Sequence, residues 1–314
     1  MDDDLLDPLP AGVLLARDAA AAGLGRHVLR RALSSGTLAQ VRPGAYVRGD
    51  EWRAAQPEDR LRMAVAAAER QLAAPVFSHE SAAAVWGLPV VAGAPGVHVL
   101  GPVAVDGSRR GLGTRGDVTR HAARADVQVV ERDGVRVTGA LDTVLAIAAA
   151  RDLRGSLPVA DAAIRAGLVT ADELCAATTA RSGTRAVRRL RVVAGLADGR
   201  PESVGESVSR ARIHLDGFVQ PGLQVPMVRR GALVARVDFW WGDVRVAGEF
   251  DGRKKYRVAG VDDRRALEDR VWAEKRREDA LRSAGLRVVR WTWQEAWHPG
   301  PLARMLSVAG VPRA

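Results

Sequence analysis

Residues 234–252, VARVDFWWGDVRVAGEFDG, constrain the fold of this chain more tightly than any other stretch. Two short alternating runs flank Trp241-Gly242-Asp243, which reads as a turn. Alternation of apolar and polar side chains is the mark of a half-buried strand. In the second run Val244, Val246 and Phe250 fall on one face, and Ala247, Glu249 and Asp251 on the other. Asp238 ends the first run and is placed to meet them across the hairpin. Carboxylates gathered at one sheet end raise one another's proton affinity unless a cation lies between them. A divalent metal held by oxygen ligands, Mg2+ or Mn2+, meets that demand. The competing reading is an acidic face that points into water, and Asp251-Gly252 alone is also a turn signal.

The rest of the composition narrows the field. A length of 314 residues suggests roughly two or three domains of about 100–200 residues each. The apolar share of 47% suffices for packed cores. No apolar run approaches the ~20 residues of a membrane span, and MDDDLLDPLP lacks the basic-then-apolar start of a signal peptide. Cys175 stands alone, which excludes an intrachain disulfide and a cysteine-based zinc site. A cytoplasmic bacterial-type protein is the expectation. The formal net charge of +10 points to a polyanionic partner, nucleic acid above all. The charge is mostly Arg, which also matches the Ala/Arg/Gly-rich bias of a GC-rich genome.

Read along its length, the chain is an α+β / α/β multidomain protein. Residues 1–10 form a tail. Residues 11–50 read as helix (Arg17–Ala22), Gly23-Leu24-Gly25 turn, helix (Arg26–Ser34), then a hairpin over Leu38–Val47 turning at Pro43-Gly44. That is the pattern of a winged helix-turn-helix. His27, Arg30 and Arg31 on the second helix, with Arg42 and Arg48 on the wing, are the candidate nucleic-acid contacts. Residues 51–150 form a small α/β unit, with helices at Leu61–Leu72, from Ser78 to Gly87, and at Leu141–Ala150. Its strands are Val97–Leu100, Val118–His121, Val127–Val130 and Val135–Thr138. Residues 151–200 are a helical connector. Residues 201–314 read as αβββαβ: a helix at 203–215, strands at 223–228, 233–240 and 244–251, a charged helix at 261–284, a strand at Leu286–Trp291 and a helix near 294–306. A right-handed helical crossover sets the last strand parallel to a central one.

This order, with Arg236-Val237-Asp238-Phe239-Trp240, Val246-Ala247-Gly248-Glu249-Phe250-Asp251-Gly252, Glu206–Arg210 and Gly285–Arg290, resembles the PD-(D/E)XK, restriction-endonuclease-like nucleases. Within that superfamily it is similar to the very-short-patch-repair-like endonuclease domains common in actinobacteria. The resemblance covers about 110 residues and implies metal-dependent phosphodiester hydrolysis, with Asp238 and Glu249 as metal ligands. Glu206 would hold a ligand water or a second ion. The family's usual Lys, two residues after the Glu, is here Asp251, counted with Asp238 and Glu249 as a candidate ligand. Lys254, Lys255 or Arg290 would then supply the missing cation. The N-terminal half, through Val41–Val47 and Ser78–Pro89, resembles AbiEi-type antitoxins of type IV toxin–antitoxin systems. That resemblance implies DNA binding, and a cognate toxin as partner.

Other features carry two readings each. Arg264 and Arg265 on the charged helix either track a phosphate backbone or join ion pairs along an exposed helix. Six of the eight Trp, at 240, 241, 272, 291, 293 and 297, either pack a core or stack on bases, with packing favoured. His79 in Ser78-His79-Glu80-Ser81 reads as a packed residue at a helix start rather than half of a Ser-His pair. The six His lack metal-ligand spacing. Double-stranded DNA is the expected partner, bound by a monomer or by a homodimer on two half-sites.

Overall fold

The computed structural model describes residues 12–91, 96–103, 112–181, 186–229, 232–252 and 285–314. It is a mixed α/β protein that separates into two units, Met1–Ala150 with Gly167–Arg191, and Arg151–Ala166 with Val192–Ala314. The segment read as a connector is therefore shared between both. Among the described residues no helix is long and apolar enough to cross a membrane.

The first unit opens with β1 (Leu14–Leu15), α1 (Ala16–Ala21), α2 (Arg26–Ser35), β2 (Leu38–Arg42), β3 (Ala45–Arg48), α3 (Gly49–Ala54) and α4 (Pro57–Gln71). β2 and β3 pair antiparallel, and β1 adds to β3, giving the order β1-β3-β2. Helix α2 buries Leu29 and Ala32 against Leu14, Ala19 and Leu38, leaving its basic face outward. It ends at Gly36, whose φ of 77° is a conformation that side chains resist. Then come α5 (His79–Val85), β4 (Val97–Val103), β5 (Gly113–Arg115), β6 (Val118–Ala123), β7 (Val129–Arg132), β8 (Val135–Thr138) and α6 (Ala140–Ala150). β4 and β6 run parallel, β5 lies antiparallel on β6, and β7 and β8 form a hairpin. Phe77, fully buried, bridges Val99 and Val137 and centres this core. Ser78 holds the N-cap position of α5, yet its hydroxyl makes no cap bond.

Helix α7 (Leu153–Arg165) belongs to the second unit, α8 (Ala171–Ala180) returns to the first, and α9 (Val187–Leu196) crosses the boundary. The second unit continues with α10 (Val204–Leu215), β9 (Gly222–Arg229), β10 (Ala232–Trp241), β11 (Val246–Asp251), β12 (Arg287–Thr292), α11 (Trp293–Trp297) and α12 (Pro301–Val308). The sheet order is β12-β11-β10-β9. β9, β10 and β11 are antiparallel neighbours, and β12 runs parallel to β11 from Val246↔Arg287 to Asp251↔Thr292. The parallel last strand thus stands as expected.

In the second unit three details differ from the sequence reading. β10 continues to Trp241, so Asp238 lies inside the strand rather than at its end. Val244 belongs to a single 3-10 turn, Gly242–Val244, followed by Arg245 at φ 52°, and the second run starts at Val246. The final helix is two helices, because Gly300 at φ 99° breaks it and Pro301 starts the next. The charged helix at 261–284 lies outside the described residues, as does part of the Arg229-Arg230-Gly231 turn.

One face of the sheet packs on α10. A Cβ on Gly205 would sit 1.9 Å from the Phe250 ring, so only glycine admits this contact. Trp291, 1% exposed, donates its Nε1–H to Ser209 Oγ at 2.8 Å and covers Gly248. Helix α10 is tied to α7 by a buried ion pair, Arg210 Nη1 to Asp161 Oδ2 at 2.7 Å. Asp161 also accepts the N–H of Asp198 at 2.9 Å. Burial pushes its carboxyl above the usual range, against the pull of Arg210, the Asp198 amide and Ser207.

Candidate active site

The Glu-Ser-x-x-Ser-Arg run on α10 divides its labour. Ser207 and Arg210 serve Asp161, Ser209 serves Trp291, and Glu206 turns toward the sheet. Glu206 is buried, and both of its oxygens are engaged. Oε1 accepts from Ser203 Oγ at 2.7 Å, while Oε2 accepts from the Glu202 N–H at 2.9 Å and from Gln224 Nε2 at 2.8 Å. With Ser203 Oγ accepting the Glu206 N–H at 3.2 Å, this is a variant of the capping box. Glu206 is therefore a buried cap linked to the sheet, not a solvated helix residue.

Asp238 sits between three elements. Its Oδ1 accepts from Gln224 Nε2 at 3.2 Å, and its Oδ2 accepts the backbone N–H of Phe250 at 2.9 Å. The regular β10–β11 pairing runs only from Trp241↔Val246 to Phe239↔Gly248. At the next rung a carboxylate takes the place of a backbone acceptor. Burial pushes the Asp238 carboxyl up to about 6. The Phe250 N–H pulls it down, the charges of Glu206 and Glu249 push it up, and the Gln224 amide pulls it down. Glu206, Asp238 and Glu249 thus share one electrostatic neighbourhood, as the sequence led us to expect for the last two.

Glu249 is 6% exposed and pairs with Arg290 Nη2 at 2.9 Å, placing a cation from β12 on the carboxylate. Asp251 is exposed at the end of β11. Among the described residues no three His, Cys, Asp or Glu side chains come together as a metal-holding group, so the Asp238, Glu249 and Asp251 triad does not assemble. Asp238 with Glu249 does offer what Mg2+ takes from a protein: one or two carboxylates, the other positions being filled by water and phosphate. Lys254, Lys255, Arg264 and Arg265 lie outside the described residues.

Gln224 was not singled out by the sequence. Its backbone has φ 51°, in the left-handed region. The β9–β10 pairing passes from Val225↔Val237 to Leu223↔Phe239 without a rung at Gln224 and Asp238. A Gln in an alternating run carries no sign of this. Only the three-dimensional register sets it opposite Asp238.

In the first unit, His27, Arg30 and Arg31 are all exposed on α2, available to a partner. Arg48 is exposed at the wing, with Nε 3.5 Å from Asp50 Oδ1. Arg42 is a correction: it is 8% exposed and ion-paired, Nε to Asp117 Oδ2 at 3.0 Å and Nη2 to Oδ1 at 3.2 Å. It braces the hairpin and does not face a partner. Three of the scattered histidines meet. His79 stacks on His121 with centroids 3.6 Å apart, and His98 Nδ1 lies 2.8 Å from His121 Nε2. Glu80 Oε2 is 3.7 Å from His98 Nε2, and Ser78 Oγ is 3.1 Å from His79 Nδ1. The stacked rings, two with nitrogens facing each other, form a polar cluster within the fold and not a chelate.

No family model matches the chain. It is 36% identical over 121 residues to an uncharacterized protein, MT2308, of Mycobacterium tuberculosis strain CDC 1551 / Oshkosh. It has the same identity to the uncharacterized protein Rv2248 of strain H37Rv. The matched stretch is 37% of this chain, and it spans 45% of the length of each of these curated relatives.

Proposed function

We propose that the second unit is a PD-(D/E)XK-like endonuclease domain that hydrolyses phosphodiester bonds with Mg2+ or Mn2+. In this reading the first unit binds double-stranded DNA through a winged helix-turn-helix. The observation that carries the reading is the electrostatic grouping of Asp238, Glu249 and Glu206. Burial raises the proton affinity of Asp238 to about 6, and the charges of Glu206 on the facing helix and Glu249 on the adjacent strand add to it. Such a grouping is costly in isolation and favourable once a cation joins it. The order α10-β9-β10-β11-β12, with β12 parallel to β11, supports the same reading.

Asp238 and Glu249 would hold the cation. When bound, that ion neutralises phosphate charge and lowers the pKa of a water. Arg290, already on Glu249, holds that carboxylate in place through a charge-assisted hydrogen bond. The Phe250 N–H fixes one oxygen of Asp238 and leaves the other facing Gln224. In the first unit, exposed Arg30 and Arg31 supply phosphate contacts and His27 a base-edge or phosphate contact. A homodimer on two half-sites fits this use of α2.

The second reading is a non-catalytic regulator or type IV antitoxin, with a cognate toxin as its partner and the second unit kept for binding. Exposed Asp251 at the family's lysine position favours it. One experiment separates the two. Plasmid, duplex, single-stranded and mismatched DNA are incubated with Mg2+, Mn2+ or chelator, using wild type and Glu249→Ala. Metal-dependent cutting by wild type, lost in the variant, is the expected result. DNA binding without cutting on every substrate sinks the nuclease in favour of the regulator.

A further inference from the structure

We propose that Gln224 is a positioning residue of the carboxylate site, held in a strained backbone so that its amide locks Asp238 to Glu206. This rests on the reading of Asp238 and Glu249 as the cation-binding pair. The geometry comes first. One nitrogen, Gln224 Nε2, donates to Glu206 Oε2 at 2.8 Å on α10 and to Asp238 Oδ1 at 3.2 Å on β10. A single side chain on β9 therefore joins a carboxylate of α10 to a carboxylate of β10.

The backbone points the same way. Gln224 has φ 51°, and β9 forms no rung with Asp238 at that level although both neighbouring rungs are present. Glycine takes this conformation without cost, and any side chain resists it. Backbone strain alone would favour glycine at position 224. Strain of this kind persists where the surrounding structure enforces it, and it gathers at functional sites.

The chemistry explains why the residue is Gln. Lys or Arg would form ion pairs with Glu206 and Asp238, supplying the charge that a metal is expected to supply. Asp or Glu would add a further negative charge and no donor. Ala or Gly would leave Asp238 fixed only by the Phe250 N–H. A neutral amide hydrogen-bonds both carboxylates and leaves their charge uncancelled. It thereby preorganises the anionic pocket for a cation, and preorganised ligands bind more tightly than ligands that must be gathered.

The test uses the full chain. Free Mn2+ is followed by electron paramagnetic resonance during titration of wild type, Gln224→Gly, Glu249→Ala and Leu302→Ala, and each metal-free protein is unfolded in guanidinium. Gln224→Gly relieves backbone strain but gives up two hydrogen bonds to carboxylates, so its midpoint is expected to fall modestly. It is also expected to bind Mn2+ at least about fivefold more weakly, as lost preorganisation requires. Unchanged Mn2+ affinity in Gln224→Gly, with binding lost in Glu249→Ala, overturns the positioning role and leaves the metal site standing. An equal loss of Mn2+ affinity in Leu302→Ala, which empties a buried position that makes none of the carboxylate hydrogen bonds, also overturns it, since lost stability alone would then explain the effect. Absence of Mn2+ binding by wild type sinks the metal reading itself, and the role of Gln224 with it.

Discussion

Replacing Asp238 by Asn should make the metal-free protein more stable at neutral pH, and the gain should vanish in acid. The Asp238 carboxyl is held at about 6 in the fold, against 3.8 for the ordinary side chain. The folded state therefore binds this proton more tightly than the unfolded chain does. Its contribution is at its most favourable below the ordinary value, where both states are protonated. It becomes less favourable as pH climbs from the ordinary value to the raised one, and stays constant above. The rise from 3.8 to about 6 corresponds to a ceiling of ~3 kcal/mol. Asp238 is only partly buried, so solvent screening reduces the expected effect to about 1–2 kcal/mol. Asn keeps an oxygen for the Phe250 N–H but turns a donor toward Gln224, a pH-independent loss of about 1 kcal/mol. The pH-dependent part of the difference is thus the quantity to read. Guanidinium unfolding at pH 4.5, 5.5, 6.5 and 7.5, followed by tryptophan fluorescence, measures it, since six of the eight Trp lie beyond residue 239. A difference between variant and wild type that does not change over this range would refute the reasoning, as would a variant that loses ground as pH rises.

Other perturbations follow from the packing. Arg210→Ala strands buried Asp161 and should cost about 3–5 kcal/mol in the same unfolding assay; a loss under 1 kcal/mol would show that the pair is dispensable. Gly205→Ala drives a methyl into the Phe250 ring and should cost about 1–3 kcal/mol, with a wild-type-like unfolding midpoint counting against the packing described. Arg30→Ala with Arg31→Ala should weaken DNA binding and lower the slope of log affinity against log salt by up to about 2. Arg42→Ala should instead lower the thermal midpoint of the protein, because the residue is buried on Asp117. Fluorescence anisotropy at several salt concentrations and a thermal melt separate the two outcomes, and a lowered salt slope in a normally stable Arg42→Ala protein would return that residue to the proposed DNA contacts.

Much of the second unit was legible because its strands alternate cleanly. Val246, Gly248 and Phe250 show one face, Glu249 and Asp251 the other, and the structure keeps that division. The parallel placement of β12 followed from the need for a long crossover before it. Helix α2 was legible from its apolar spacing and from Gly36. What escaped depends on contacts between residues far apart in the chain. Arg42 resembles any exposed wing arginine until Asp117, 75 residues later, appears beside it. His79, His98 and His121 have no telling spacing because stacked rings need only proximity. β1 is two residues long, too short for a period to register. The interior position of Asp238 was hidden because Phe239-Trp240-Trp241 reads equally well as a strand end or as its continuation. Gln224 escaped for a different reason: neither its reach nor its left-handed backbone leaves a trace in an alternating pattern.

The bond from the Phe250 amide to Asp238 gives this protein a built-in spectroscopic probe. Elsewhere along β11 the amides answer to neighbouring strands, whose acceptors do not titrate. This one answers to a carboxylate whose charge changes near pH 6 and whose oxygens face the acidic pocket. Its nitrogen and proton shifts should move as the carboxyl loses its proton, and move again when a cation draws density from the same group, while the amide of Ala247, inside the regular ladder, stays nearly still. One backbone resonance would thus report the charge state of Asp238 with no substrate and no turnover.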